Sequence, residues 1–342
     1  MEVLSGKVDG KVKDQEAGRR DTPRGRRLLR RFLDNIVWII LVLALLLFST
    51  TIDGFFSTRN FINIVYHSVF IGILAIAETY CLVAGRMDLS IESVAAFGSM
   101  LGAWLAGSSQ FASGLHLATP YTVLIVLAFG CLVGIINGIL VVRLKIDAFL
   151  VTLSMYITVR GLALWLTGGK GVSQLPAVFR LVDTVKIAGI PLMVYLMFLF
   201  YVVFFFILVN SRFGRHLFVI GGNVDAAYKH GIRVDSVLIR VFVLSGVLAA
   251  FSGLLMAARA DGSSAAAATG FLFDVLAAIV IGGVSLQGGV GSLVGVFAGV
   301  LLLGSIRSAL NILAISPFVT DIIRGLLVLF AIVLDSLKRM LQ

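Results

Sequence analysis

The chain has 342 residues, of which 59% are drawn from AVILMFWYC and only 13% are charged, and its mean hydropathy is +1.04. A water-soluble globule would lack the polar atoms to cover its surface, and a disordered chain would not be so apolar, so both are excluded. The net charge of +10, from 28 Lys and Arg against 18 Asp and Glu, would suit nucleic acid in a soluble protein; here the placement of charge matters more than its sum, and no nucleic-acid partner is expected.

Residues 1–34 hold ten basic residues, among them Lys7, Arg19, Arg20, Arg26 and Arg30, and six acids, a local excess of four positive charges. With no apolar periodicity, this segment is predicted to be a disordered cytoplasmic tail that touches anionic lipid headgroups; the alternative is a solvated tail without a partner. The run Ile36 to Phe48 is followed by no small-residue cleavage site, so it does not read as a cleavable signal peptide.

From residue 35 to 336 the chain reads as an all-α integral membrane domain. A helix crossing the hydrocarbon needs about 20 mostly apolar residues. Ten segments are candidates: 36–50, 61–83, 90–107, 119–142, 148–167, 192–209, 237–258, 271–283, 289–306 and 318–335. Three are short, and eight to ten crossings are predicted. If the amino end is inside, twenty Lys and Arg fall on the cytoplasmic side, five fall outside (Arg59, Lys170, Arg180, Lys186, Arg259), and Arg160, Arg307 and Arg324 lie within or at the ends of spans. That asymmetry predicts both termini in the cytoplasm, including the short carboxyl-terminal end 337–342.

Two segments carry glycine at every fourth position: Gly130, Gly134 and Gly138, and again Gly291, Gly295 and Gly299. On a helix such glycines line one face and admit a neighbouring backbone. Their likeness hints at an internal duplication, although apolar segments also resemble one another through composition alone. Cys81 and Cys131 both sit in apolar runs, and His67, His116, His216 and His230 are scattered, so neither a disulfide framework nor a metal site is read here. The segment GGKGVS at 168–173 lacks the upstream glycine and the hydroxyl residue after Lys170 that cradle phosphate; Gly289, Gly291 and Gly295 miss the dinucleotide spacing. The chain is expected to bind no ATP and no cofactor of its own.

Charges inside spans are costly and need a reason. Glu78 lies within LAIAETYCLV, Asp88 and Glu92 flank the third segment, and Arg160, Asp274, Arg307, Asp321 and Arg324 follow. One reading is a polar pathway or proton relay; the other is carboxylate–guanidinium pairing or snorkelling at span ends. The first is preferred for Glu78 and Asp274, the second for Asp88, Arg307 and Asp321, which are expected near interfaces. Candidate pathway residues are Glu78, Asp88, Ser90, Asp274 and Asn311.

The longest cytoplasmic connection, about 210–237, places Gly221 and Gly222 before Asn223, a good helix cap, and then a short run Asp225-Ala226-Ala227-Tyr228 closed by Gly231. A short capped helix with small residues on its exposed face suits docking into a cleft of another protein. An ordinary amphipathic connector is the alternative.

These features resemble the permease subunits of bacterial ATP-binding-cassette importers for simple sugars, of the ribose type. The likeness rests on Gly85-Arg86-Met87-Asp88-Leu89-Ser90, Arg160-Gly161, Gly214-Arg215, Gly221-Gly222-Asn223 with Ala226-Ala227 and Gly231, and most of all the segment Asp274 to Gly291. It covers about residues 60–336. The resemblance implies a type II importer permease of ten helices that works as a pair, homodimer or heterodimer, in the bacterial inner membrane. It also implies a coupling helix at Gly222, Asn223, Asp225, Ala226 and Ala227 seated on cytoplasmic ATPase subunits that carry ATP and Mg, and a periplasmic sugar-binding protein. The implied activity is ATP-driven import of a monosaccharide or related small polar solute, with no covalent catalysis by this chain. Departures from the family pattern are Glu78, Arg86, Glu92, Leu272 and Arg307, and they put the usual sugar in doubt. The alternative function is a proton-coupled secondary transporter that uses Glu78 and Asp274. A membrane-embedded enzyme lacks a nucleophile or metal set.

Overall fold

The Ser57 hydroxyl accepts a hydrogen bond from the Asn60 N–H and caps the first long helix, which is how a short hydrophobic lead-in gives way to the main bundle. The computed structural model describes residues 36–264 and 266–340. The tail expected over 1–34 lies outside them, as do residues 341 and 342.

Helices form where the apolar runs predict them: α1 (Ile36–Thr51), α2 (Thr58–Val83), α3 (Ile91–Ala106), α4 (Thr119–Val142) and α5 (Ala148–Thr167). After a one-turn α6 (Leu181–Thr184) come α7 (Leu192–Asn210), α8 (Arg212–Gly222), α9 (Val224–Lys229), α10 (Val234–Ala260), α11 (Phe271–Ile281), α12 (Leu293–Ile312) and α13 (Pro317–Met340). Among the described residues six helices are long and apolar enough to cross a membrane: α2, α4, α5, α7, α10 and α12. The expectation of about ten transmembrane helices is therefore met only in part. The 11 residues of α11 rise roughly 16 Å, about half the hydrocarbon thickness. This helix stops at Gly282 and Gly283, the latter at φ +88, where an L side chain is unfavourable. The 16 residues of α3 begin after the break at Gly85–Ser90.

The two longest helices, α2 and α10, are the most buried of those six and run antiparallel: Arg259 meets His67, the Ser252 hydroxyl donates to the Phe70 carbonyl, and Ser245 reaches Asp88. The first glycine stripe, with Gly295 and Gly299 of the second, forms helix–helix contacts within the chain, whereas Gly291 lies before α12. A Cβ at Gly130 would strike the Gly246 carbonyl, and one at Gly134 the Phe242 carbonyl, so α4 presses its backbone on α10. On α12, Gly295 and Gly299 press likewise on the carbonyls of Gly282 and Ala278 in α11. Close backbone approach gains dispersion contacts where lipid offers no hydrophobic drive. A long buried helix, a short one and a glycine-striped one recur in the orders α2–α3–α4 and α10–α11–α12, parallel to the duplication that the sequence hints at.

The connections gather at two ends. At one, β1 (Val172–Ser173) pairs antiparallel with β4 (Gly262–Ser263), next to a hairpin of β2 (Lys186–Ile187) and β3 (Ile190–Pro191). Asp261 fastens this layer: its carboxylate accepts from the Leu175 N–H at 2.8 Å and pairs with Arg180 at 3.1 Å. The other end carries the breaks at 84–90 and 282–292 together with α8 and α9.

Candidate coupling and translocation sites

The connection after Asn210 is two helices, not one. Ser211 caps α8 by accepting from the Gly214 N–H at 3.0 Å, and Asn223 caps α9 by accepting from the Ala226 N–H at 2.9 Å. Gly231, at φ +74, closes α9. Helix α8 escapes a reading by composition because Gly214, Gly221 and Gly222 look like loop; its apolar Leu217 and Ile220 are nevertheless fully buried. Gly214 packs under the Leu208 carbonyl. Gly221 lies against the Val83 carbonyl at the end of α2, and a Cβ there would also sit 2.5 Å from the Gly289 nitrogen. The Gly289 N–H itself donates to the Val83 carbonyl at 2.9 Å. Three segments distant in sequence thus meet through main-chain atoms, and α9 stands on that base.

Within α9 the arrangement corrects the expected exposed face of small residues. Gly222, Asn223, Asp225 and Tyr228 are exposed, Ala226 is half-buried, and Ala227 turns inward with no exposure. The surface offered outward is polar, and the alanines are small because α9 lies close to the chain beneath it. The Tyr228 hydroxyl donates to the Asp235 carboxylate at 2.6 Å, which ties α9 to the start of α10. That bond raises the phenol above its usual range, because ionisation would set two negative charges side by side.

The first pathway candidates form one buried cluster. Asp88, expected near an interface, is 1% exposed. Its carboxylate accepts from the Ser90 N–H at 3.0 Å, the Ser90 hydroxyl at 2.5 Å and the Ser245 hydroxyl of α10 at 2.7 Å. The Asp88 N–H points between the two carboxylate oxygens of Glu78, 3.2 Å from each. Asn137 of α4 donates to the Ser90 hydroxyl at 3.0 Å. Ser90 and Asp88 belong to one local turn, which a sequence shows; Ser245 and Asn137 are single polar residues in apolar runs, whose only signal is that isolation.

The remaining charges make contacts of their own. Asp274 takes the Arg324 Nε at 2.7 Å and the Arg307 Nη1 at 3.8 Å, and Arg324 also reaches Asp321 at 2.9 Å. Asp274, read as a functional charge, is thus ion-paired. Glu92 accepts from the Leu272 N–H at 2.9 Å, so a buried carboxylate caps the amino terminus of α11, where the helix dipole favours it. Arg160 binds the Ala267 carbonyl at 3.0 Å and the Thr269 hydroxyl at 2.6 Å. Arg259 stacks on the Tyr66 ring at 4.0 Å, and Tyr66 in turn donates to the Asp183 carboxylate. A hollow of about 200 Å³ opens between α2 and α12, bordered by Asn60, Asn63, His67, Arg307, Ser308 and Asn311. Asn311 lies there, far from Glu78 and Asp88. Among the described residues no group of three or more His, Cys, Asp or Glu is placed to hold a metal ion.

Comparison with known proteins matches residues 60–332 to the family described as branched-chain amino acid transport system / permease component. The ribose import permease protein of Haemophilus influenzae is 31% identical over 311 residues, 90% of this chain and 94% of that protein. The L-arabinose ABC transporter permease protein of Azospirillum brasilense is 34% identical over 309 residues, covering 89% and 88% of the two chains. A probable ABC transporter permease protein of Escherichia coli K12 is 35% identical over 334 residues, covering 92% and 95%. No solved structure matches. With a family model spanning most of its length, and with relatives above 30% identity covering nine-tenths of it, this chain belongs to the branched-chain amino acid transport system / permease component family, a multi-pass membrane permease of the sugar ABC transporter kind.

Proposed function

We propose that this chain is the membrane-spanning subunit of an ATP-driven importer that carries a monosaccharide or related small polar solute into the cytoplasm. The relatives named as ribose and L-arabinose permeases support the solute class. In this reading the chain works with a second permease chain in the bacterial inner membrane, receives solute from a periplasmic sugar-binding protein, and is driven by separate ATPase subunits that hold ATP and Mg. It crosses the membrane ten times with both termini in the cytoplasm. Helix directions support that count: α2 and α10, α4 and α10, and α11 and α12 are antiparallel neighbours, as strict alternation through ten crossings requires.

The observation that carries the proposal is the base of α9. An exposed, capped helix stands on α8, and α8 touches the end of α2 and the loop between α11 and α12 through glycine backbone. A partner that grips α9 differently in its ATP-bound and free states moves all three together, and only such differential binding can drive the change. Main-chain contact without intervening side chains leaves little slack.

The rival, proton-coupled transport through Glu78 and Asp274, has less support, since Asp274 is already taken by Arg324. Reconstitution with the ATPase and binding protein in liposomes tests the choice. ATP-dependent uptake that Asp225→Lys together with Tyr228→Ala abolishes is the expected result. Uptake without ATPase, driven by a proton gradient, overturns it.

A further inference from the structure

The hollow between α2 and α12 has a chemistry of its own. Its border carries one guanidinium, Arg307, three amides, Asn60, Asn63 and Asn311, the His67 ring and the Ser308 hydroxyl, and no carboxylate. Asn60 is consumed internally: its Nδ2 donates to the Phe55 carbonyl at 2.9 Å and its Oδ1 accepts from Ser308 at 2.6 Å. Arg307 is not consumed. Its nearest carboxylate, Asp274, is 3.8 Å away and already holds Arg324 at 2.7 Å, and among the described residues Arg307 makes no other polar contact. The Phe271 ring, 5.6 Å from the guanidinium, backs it on one side. Both His67 ring nitrogens lie near one Arg259 nitrogen, at 2.9 and 3.2 Å, and since arginine only donates, the ring meets that guanidinium as an acceptor.

Donors therefore outnumber acceptors around this space, and its one unspent charge is positive. A neutral sugar's hydroxyl oxygens can accept from the guanidinium but bring no charge to match it. A carboxylate matches the planar fork of Arg307, and sugar hydroxyls match amides, which both donate and accept. The volume of about 200 Å³ has room for one sugar ring.

We propose that this hollow is an entry subsite for a monosaccharide that carries a carboxylate, with Arg307 gripping the acid and Asn63 and Asn311 the hydroxyls. The assignment rests on the importer reading and names its solute class.

Thermal melting of the purified full-length chain in nanodiscs tests it, with D-glucuronate and D-galacturonate as acidic probes and D-glucose and D-ribose as neutral ones. At ~20 mM the acidic sugars are expected to raise the melting temperature by roughly 2 °C and the neutral sugars not at all. Arg307→Gln, which leaves the Asp274–Arg324 pair intact, should erase the shift, and Asn311→Asp, at an exposed position, should erase it by repulsion. Equal stabilisation by neutral sugars, no stabilisation by any sugar, or a shift produced only by added phosphatidylglycerol overturns the proposal. ATP-driven uptake of a neutral sugar would leave the importer reading standing after such a result. Loss of all ATP-driven uptake would end that reading whatever the melting data show.

Discussion

Gly221 rests on the carbonyl of Val83, and that carbonyl also accepts the Gly289 N–H at 2.9 Å, so one peptide group at the end of α2 joins three parts of the chain. Gly222, the next residue, has nothing within 4 Å of where a side chain would begin. This contrast makes a sharp test. Gly221→Ala must push main-chain atoms apart and is expected to cost roughly 2–4 kcal/mol or to prevent folding, whereas Gly222→Ala should stay within about 1 kcal/mol of the parent. Monodispersity after detergent extraction and melting temperature are the readouts. Equal tolerance of both would mean that the three segments do not meet in this way.

The cap of α9 is separable from the contacts beneath it. Asn223→Ala removes the acceptor for the Ala226 N–H and should loosen this short helix by about 1 kcal/mol, with Asn223→Asp restoring it. If the proposed importer function holds, uptake by the reconstituted complex should fall several-fold in Asn223→Ala and recover in Asn223→Asp, with the melting temperature of the bundle unchanged in both. A parallel fall in bundle stability would show that α9 matters to folding and not to transmission.

In the buried cluster the two carboxylates do different amounts of work. Asp88 accepts three hydrogen bonds and Glu78 shares a single N–H. Asp88→Ala strands the Ser90 and Ser245 donors and is expected to cost about 3 kcal/mol or more. Glu78→Gln keeps an acceptor of the same shape and removes a charge, so it should melt at or above the parent temperature. If Glu78→Gln is the more damaging of the two, the assigned bonding is wrong.

The ion pairs divide by solvent access. Arg324 and Asp274 have side chains 16% and 12% exposed, against 34% and 45% for Arg180 and Asp261. Arg324→Ala leaves a buried carboxylate with only the distant Arg307 and should cost roughly 3–5 kcal/mol. Arg180→Ala, in the water-screened pair, should cost about 1 kcal/mol or less. Adding Asp274→Asn to Arg324→Ala should recover much of the loss, a result that a double-mutant cycle measures directly.

Features readable in one dimension are those whose cause is local. The apolar runs, the Asn223 cap, the Gly231 stop and the stripe of Gly130, Gly134 and Gly138 depend on residues within a few positions of each other, and each appears where the sequence places it. Helix α8 is missed because its three glycines lower local propensity, while burial of Leu217 and Ile220 against the bundle outweighs that loss. That Asp88 is buried escapes the sequence for a related reason: its spacing suggests a span end, and nothing local shows that Ser245, 157 residues away, closes over it.

From the sequence alone follow a membrane-bound helical permease, its family, and the position of its short helix capped by Asn223, because hydropathy, capping and motif order act along the chain. Which charges pair, which glycines meet which backbone, and that Ala227 faces inward while Arg307 is left without a close partner were decided by the tertiary structure. Such pairings depend on distances between segments that no local pattern encodes, and a buried charge takes whichever partner the packed helices bring within reach.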